Sequence, residues 1–362
     1  MKNIKIIIGI IVAVVIVGLI VSYSSNKKSV SEKQTIKIGV IAPVTGPASA
    51  FGQPLVKALE LALKDVPKDS KYNYEIVIED DATNPAKSAS AAQKLIQIDK
   101  VQAIISATSG TGNAIMPIIT TAKIPQICVA CADRKIAVGA YSYTSSIQPE
   151  DEGKVYIDYA VKTGVKTLGM LNQIHPGINA VADGIKGAAL KQGVQIVYEE
   201  RFDGNNRDFK TIAAKAAAAK ADVYYIQALP PSLDILGKEL YGLGVKNLAA
   251  GSGAFTISAN PAFYEGNWYS ESLSDASFTD RFQKAYPDVR FNVRTAPYGY
   301  DAFMMLVKGF EKGGDMGTYL SGLTEYKGLV GRQYKNSGTN YFASLPGIYK
   351  IQDGKPTLVW KE

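Results

Sequence analysis

The chain has 362 residues, 46% of them hydrophobic and 20% charged, apolar content enough for about two cored domains, which excludes an intrinsically disordered protein. Two cysteines exclude a disulfide scaffold, one histidine excludes a histidine-rich metal centre, and a single long apolar run excludes a polytopic membrane protein. Of the formal net charge of +7, four charges arise within the first 34 residues (Lys2, Lys5, Lys27, Lys28 and Lys33 against Glu32), and the remainder has no Lys/Arg run to track a phosphate backbone.

Lys2 and Lys5 precede an unbroken apolar run from Ile6 to Val21, which as a helix would span about 24 Å. Two roles fit it. It has the three-part shape of a signal peptide, with Ser22 and Ser24 at the −3 and −1 positions of a cleavage site, and residues 6–23 could equally be retained as a membrane anchor. No cysteine follows for lipid attachment. Either role exports the remainder, with polar residues 22–34 as a tether.

From Ile36 the pattern settles into strand–loop–helix units. A β-branched strand at 36–41 ends at Pro43, the loop 45–52 follows, and a helix from about Gln53 carries Leu55, Leu59, Ala62 and Val66 at helical spacing. A strand at 74–79 leads to Thr83-Asn84-Pro85, a capping residue with Pro at the first helical position. Strand 102–106, helix 112–122 and strand 125–129 continue the alternation. A second series begins near Gln148: helix 150–163, strand 166–171, helix 178–191, strand 194–199, helix 207–220, strand 222–227, helix 231–242 and strand 247–250. Ile178, Val181, Ala182, Ile185 and Ala189 share one helical face, and the Ala-rich stretch 213–221 is helical by propensity. Strands alternating with helices predict two parallel sheets covered on both faces, each with its site at the carboxyl ends of its strands.

Catalytic signatures are missing: no phosphate-binding G-x-x-x-x-G-K-[ST], no G-x-G-x-x-G after a strand, no G-x-S-x-G. A Ser–His–acid site would have to use His175, in the loop Ile174-His175-Pro176-Gly177, without an identifiable nucleophile elbow. Gly110-Thr111-Gly112, after a strand, could cradle an anion with its amides. Glu79-Asp80-Asp81 reads as a solvated strand end ahead of a helix, since no second acidic cluster suggests a metal pair. Cys128-Val129-Ala130-Cys131 has the spacing of a redox pair, but bridging residues three apart requires the strand to turn there.

The order of several motifs resembles the Leu/Ile/Val-binding family of type I periplasmic substrate-binding proteins of ABC transporters. Ile36 to Pro47 with Phe51-Gly52 is similar to its opening strand and ligand loop. Glu79-Asp80-Asp81 with Asn84-Pro85, Asp208-Phe209 with Asp222, Pro297 to Ala302, and the ending from Gly328 to Lys355 match later landmarks. The resemblance implies an α/β fold of two doubly wound parallel-sheet lobes joined by a three-stranded hinge, closing on a solute. The lobes would be 35–147 with 271–338 and 148–270 with 339–362, after an N-terminal segment 1–34.

It also implies site residues. Phe51 stands at the family's aromatic wall, and Ser109, Gly110 and Thr111 stand in the loop that holds a ligand carboxylate. Where the family has Ser-Ala-Thr, this chain has Ala130-Cys131-Ala132, then Asp133. Pro176-Gly177 beside His175 replaces Tyr-Gly, Gly253 replaces the acid that pairs with a ligand ammonium, and Leu229-Pro230 replaces an aromatic pair. The expected ligand set is therefore Phe51, Ser109, Gly110, Thr111, Cys131, Ala132, Asp133, His175 and Gln227, with Asp133 supplying the missing negative charge and Cys128–Cys131 as a candidate disulfide. The function implied is non-enzymatic and extracytoplasmic. A monomer would capture a small polar amino-acid-like solute for an ABC permease, with no cofactor, metal or nucleic acid. A ligand-sensing module signalling to a membrane partner is the alternative.

Overall fold

The structure, a computed structural model, describes residues 33–361. The segment 6–23, read above as signal peptide or anchor, lies outside the described residues. Among the described residues no helix is long and apolar enough to cross a membrane.

The first half runs β1 (Thr35–Ala42), α1 (Ser49–Lys64), β2 (Asn73–Asp80), α2 (Pro85–Gln97), β3 (Ala103–Ala107), α3 (Ser109–Ala122), β4 (Gln126–Val129) and β5 (Ser142–Ser146). The second half runs α4 (Pro149–Lys162), β6 (Thr167–Gln173), α5 (Pro176–Gln192), β7 (Gln195–Phe202), α6 (Lys210–Ala218), β8 (Val223–Gln227), α7 (Ser232–Gly242), β9 (Leu248–Ala250), the short α8 (Ala254–Ile257) and β10 (Trp268–Ser272). Then come α9 (Ala276–Ala285), α10 (Ala296–Lys312), α11 (Met316–Gly322) and strands β11 (Glu325–Gly328), β12 (Gly331–Tyr334), β13 (Tyr341–Ala343), β14 (Pro346–Gln352) and β15 (Lys355–Trp360).

Two mixed, mainly parallel sheets result. The first has the order β11-β12-β13-β5-β4-β3-β1-β2 and the second β15-β14-β10-β9-β8-β6-β7. Read from its β2 or β7 edge, each repeats one winding, so each has a topological switch point, between β1 and β3 and between β6 and β8. β13 pairs with β5, so the first sheet reaches Ala343, a few residues beyond the 338 boundary set out above, and the chain enters the second sheet at Pro346.

Strict alternation puts a core on each face of each sheet. Ile38 and Val40 of β1 pack with Leu55 and Leu59 of α1 and with Phe303 and Leu306 of α10, while Ile41 turns to Leu95 of α2 and Ile115 of α3. In the second sheet Tyr224 and Ile226 meet α6 and α7, whereas Val223 and Tyr225 meet α4 and α5. These double-sided cores explain why the strands read as continuous apolar runs.

Sequence periodicity misplaced three helix starts; α6 begins late, at Lys210 rather than 207, and two others begin early. α1 begins at Ser49 rather than Gln53, and α3 at Ser109 rather than 112. Glycines lower helix propensity in both first turns, yet they are needed for close approach. A Cβ on Gly52 would stand 2.1 Å from the Pro43 carbonyl oxygen, and one on Gly112 2.6 Å from Cys128 Sγ. The same device packs α4 on α5, where a Cβ on Gly184 would lie 2.1 Å from the Pro149 carbonyl oxygen. Gly184→Ala should therefore destabilise the fold by about 1–3 kcal/mol despite the better helix former. Urea unfolding checks this: a variant as stable as the parent would mean that the two backbones separate freely.

Candidate ligand-binding cleft

The carboxyl ends of the two sheets face each other across a cleft that encloses a cavity of about 60 Å³. Both switch points open onto it. From the first sheet come Ala48 and Phe51 after β1, Thr108 after β3, and Ala130 and Ala132 after β4. From the second come His175, Gly177 and Ile178 after β6, Gln227, Ala228 and Leu229 at the end of β8, and Ser252 and Ile257 after β9. Arg294, in the loop before α10, completes the lining. Three lining residues without a glycine's freedom, Thr108, Ala130 and Ser252, have φ between 52° and 73°. Such positions cost of order 1–3 kcal/mol each and concentrate at functional loops.

The lobes touch along one edge. A Cβ on Gly110, in the first turn of α3, would lie 3.3 Å from His175 Nε2, and one on Gly177 would lie 2.8 Å from Ser109 Oγ. His175 caps α5, its Nδ1 accepting from the Gly177 N–H at 3.2 Å. Burial pushes its pKa down to about 4, against a smaller opposing pull from Asp133, so the imidazole is neutral at pH 7.

Of the expected site residues, the structure brings Phe51, Ala132, His175 and Gln227 to the cavity. Gln227 is fixed by the Gly251 N–H on its Oε1 at 2.9 Å. The hydroxyls of the α3 loop are otherwise engaged. Ser109 Oγ accepts from the Ala132 and Asp133 amides, and Thr111 Oγ1 donates to Asp81 Oδ2 at 2.5 Å. Gly110 faces His175 outside the cavity lining. Asp133, expected as the ligand's counter-charge, is turned out of the cavity. It caps the turn at 134–136 through Lys135 N and accepts from Asn113 Nδ2 at 2.8 Å, so its oxygens are occupied by its own neighbourhood. Cys131 is buried behind the lining, joined to Cys128 by a disulfide, with the turn supplied by Ala130 at positive φ.

Glu79-Asp80-Asp81 departs from the solvated strand end expected. Asp81 is fully buried and accepts from Thr83 N, Ser88 Oγ and Thr111 Oγ1, while Asp80 gathers Val44 N, Thr45 N and Thr45 Oγ1. These carboxylates shape the loops that carry Phe51 and Thr108.

Sequence reasoning missed the cleft's charged floor. Arg294 donates through Nε to Glu271 Oε1 and through Nη2 to Glu152 Oε1, both at 2.9 Å, and all three side chains are at most 4% exposed. Glu152 also collects Ser252 N, Ser252 Oγ and Ser270 Oγ. Burial raises the Glu271 pKa to about 7, with Arg294 pulling it down. Burial also works against the charge of Arg294, but Glu152 and Glu271 outweigh it and hold the guanidinium protonated. One local signal existed: a cation just ahead of the N-terminus of an apolar helix opposes its dipole and needs a partner elsewhere.

Comparison with known proteins adds the following. The sequence profile of the periplasmic binding protein family matches residues 35–336. A Leu/Ile/Val-binding protein homologue of Brucella melitensis is 24% identical over 60% of this chain, an alignment that spans only 60% of that protein's length. Among solved structures, a leucine-binding protein from Thermotoga maritima superposes with a TM-score of 0.81 at 21% identity, covering 90% of this chain and 97% of its own. A solute-binding protein of an ABC transporter from Rhodopseudomonas palustris, in complex with 3,4-dihydroxybenzoic acid, superposes at 0.77 and 22% identity, covering 90% and 96%. These relatives are binding proteins rather than enzymes, and the two solved structures share the two-lobed α/β fold.

Proposed function

Because the chain belongs to the periplasmic binding protein family, we propose that it is an extracytoplasmic solute-binding protein that captures a small polar solute of amino-acid size and delivers it to an ABC permease. The observation that carries this reading is the cavity at both switch points, lined from both lobes and flanked by their direct contact along α3 and α5. In the mechanism proposed, the two lobes, one built on each sheet with the first reaching Ala343, swing about the three crossovers between them. A solute that touches both faces binds the closed form better than the open one, and that difference drives closure. The closed monomer then presents one rigid surface to the permease.

The names of the relatives support an amino-acid-like solute, and the dihydroxybenzoate complex supports a carboxylic acid in a cleft of this kind. A thermal-shift screen of the full chain against amino acids, amides, polyamines, sugars and small carboxylates tests the reading. A solute at about 100 Kd should stabilise the protein by about 2.7 kcal/mol. A flat response across all five classes would overturn solute capture.

A further inference from the structure

We propose that Arg294 is the anion anchor of the cleft, and that the captured solute is a small carboxylate without an α-ammonium group. This rests on the solute-capture reading and names the charge class of the cargo. Arg294 is 3% exposed yet lines the cavity. Its Nε and Nη2 are taken by Glu271 and Glu152, while Nη1 has no hydrogen-bond partner among the described residues. Nη1 is not among the side-chain atoms that are both buried and unpartnered; it is the guanidinium donor left open at the cavity, and a ligand carboxylate takes it in a short charge-assisted bond.

No other lining residue carries a full charge, and none is acidic. Every nearby acid is turned elsewhere. Glu152 receives Ser252, Ser270 and Arg294 on Oε1 and only Ser252 Oγ on Oε2, and Asp133 is held by Asn113 and Lys135. Glu271 lies behind the lining with Oε2 directed at Gly253, where a Cβ would stand 1.8 Å from it. A ligand ammonium would therefore be desolvated beside a guanidinium, while the two carboxylates nearest to it, Glu152 and Glu271, lie outside the lining and are already paired with that guanidinium, an arrangement with a net penalty. Phe51, Ile178, Leu229 and Ile257 offer apolar walls for a hydrocarbon body, and neutral His175 and Gln227 can serve a hydroxyl.

Matched ligands on the unaltered full chain test this without disturbing the fold. Calorimetry would compare leucine, 4-methylpentanoate and 4-methylpentanamide, then 4-hydroxybenzoate and 4-hydroxybenzamide. In the series that binds, the acid should bind about tenfold to a hundredfold tighter than its amide, and 4-methylpentanoate should bind tighter than leucine. Leucine equal to or better than 4-methylpentanoate, or an amide equal to its acid, would overturn the assignment. So would a sugar or polyamine as the best ligand, although solute capture would then stand. If no solute of any class binds, both readings fall. Arg294→Lys, checked for folding by thermal melting, should bring the acid-to-amide ratio close to unity. An unchanged ratio in the folded variant would also overturn the proposal.

Discussion

Replacing Arg294 with methionine is expected to lower the unfolding free energy by about 3–5 kcal/mol, because it leaves two buried carboxylates without their shared cation. Glu152 and Glu271 are both buried, and each accepts one guanidinium N–H at 2.9 Å. Glu152 retains its serine donors after the change, whereas Glu271 retains only the Ser272 amide. The loss should therefore fall mainly on Glu271. Its folded pKa, about 7 with Arg294 in place, already lies above the ordinary value of 4.5. A carboxyl raised in this way binds its proton more firmly in the folded state, so its favourable contribution is complete below about pH 4.5 and is lost as pH rises through 7. The destabilisation by Arg294→Met should accordingly be larger at pH 8 than at pH 5, and Glu271→Gln in the same chain should recover part of it. Urea unfolding at the two pH values checks the result. A loss under 1 kcal/mol at pH 8 would mean that the three side chains do not form one electrostatic unit.

Solute capture should weaken below neutral pH through His175, by up to roughly two orders of magnitude between pH 6.5 and 4. The closed lobes bury the imidazole against the first turn of α3 and hold its pKa near 4, with Asp133 the charged group whose field reaches it. In the proposed open form the ring meets water and returns towards its ordinary 6.5. The sign follows from proton count: the closed form binds fewer protons, so closure is fully supported above 6.5 and loses support as pH falls towards 4. His175 is the single histidine of the chain, so its ring signals are unambiguous in an NMR titration. In ligand-saturated protein those signals should stay constant from pH 8 to 5, and a midpoint near 6.5 there would contradict the burial argument. His175→Asn keeps a residue that caps a helix well and should flatten the pH dependence of the affinity.

Much of the fold was readable because burial leaves a periodic trace. The strands at 36–41, 74–79, 166–171 and 222–227 were found within two residues of their observed ends, the carboxyl ends of 166–171 at Gln173 and of 74–79 at Asp80 included. β5 was not found. Its sequence, Ser142-Tyr143-Thr144-Ser145-Ser146, is polar although every residue is buried. Gln126 meets the Ser142 hydroxyl and Gln333 the Ser145 hydroxyl, partners that hydropathy does not register, while Ser146 Oγ is buried without one among the described residues. The strands after β9 escaped for other reasons: β10 carries Ser270, Glu271 and Ser272 in a buried run, β11, β12 and β13 have three or four residues, and β14 and β15 pair antiparallel outside the strand–helix alternation.

The candidate site divides along the same line. Phe51, Ala132, His175 and Gln227 stand at the carboxyl ends of strands whose direction the alternating pattern fixes, and those loops line the cavity. Asp133 was read as a ligand counter-charge, yet its carboxylate is used by the turn it begins and by Asn113.

By itself the sequence determined the two series of alternating strands and helices, the absence of catalytic signatures, and which loops stand at the carboxyl ends of the strands. These are properties of neighbouring residues, set by side-chain period and by the local chemistry of glycine, proline and caps. Only the tertiary structure decided that the two sets of loops meet and that the cavity holds one charge and no acid. It also brought Glu152, Glu271 and Arg294 together across 142 positions of chain. The physical reason is that a charge's partner depends on chain crossings between the sheets, which carry no periodic signal, while the pressure to pair it in a dry interior acts only once those crossings have formed.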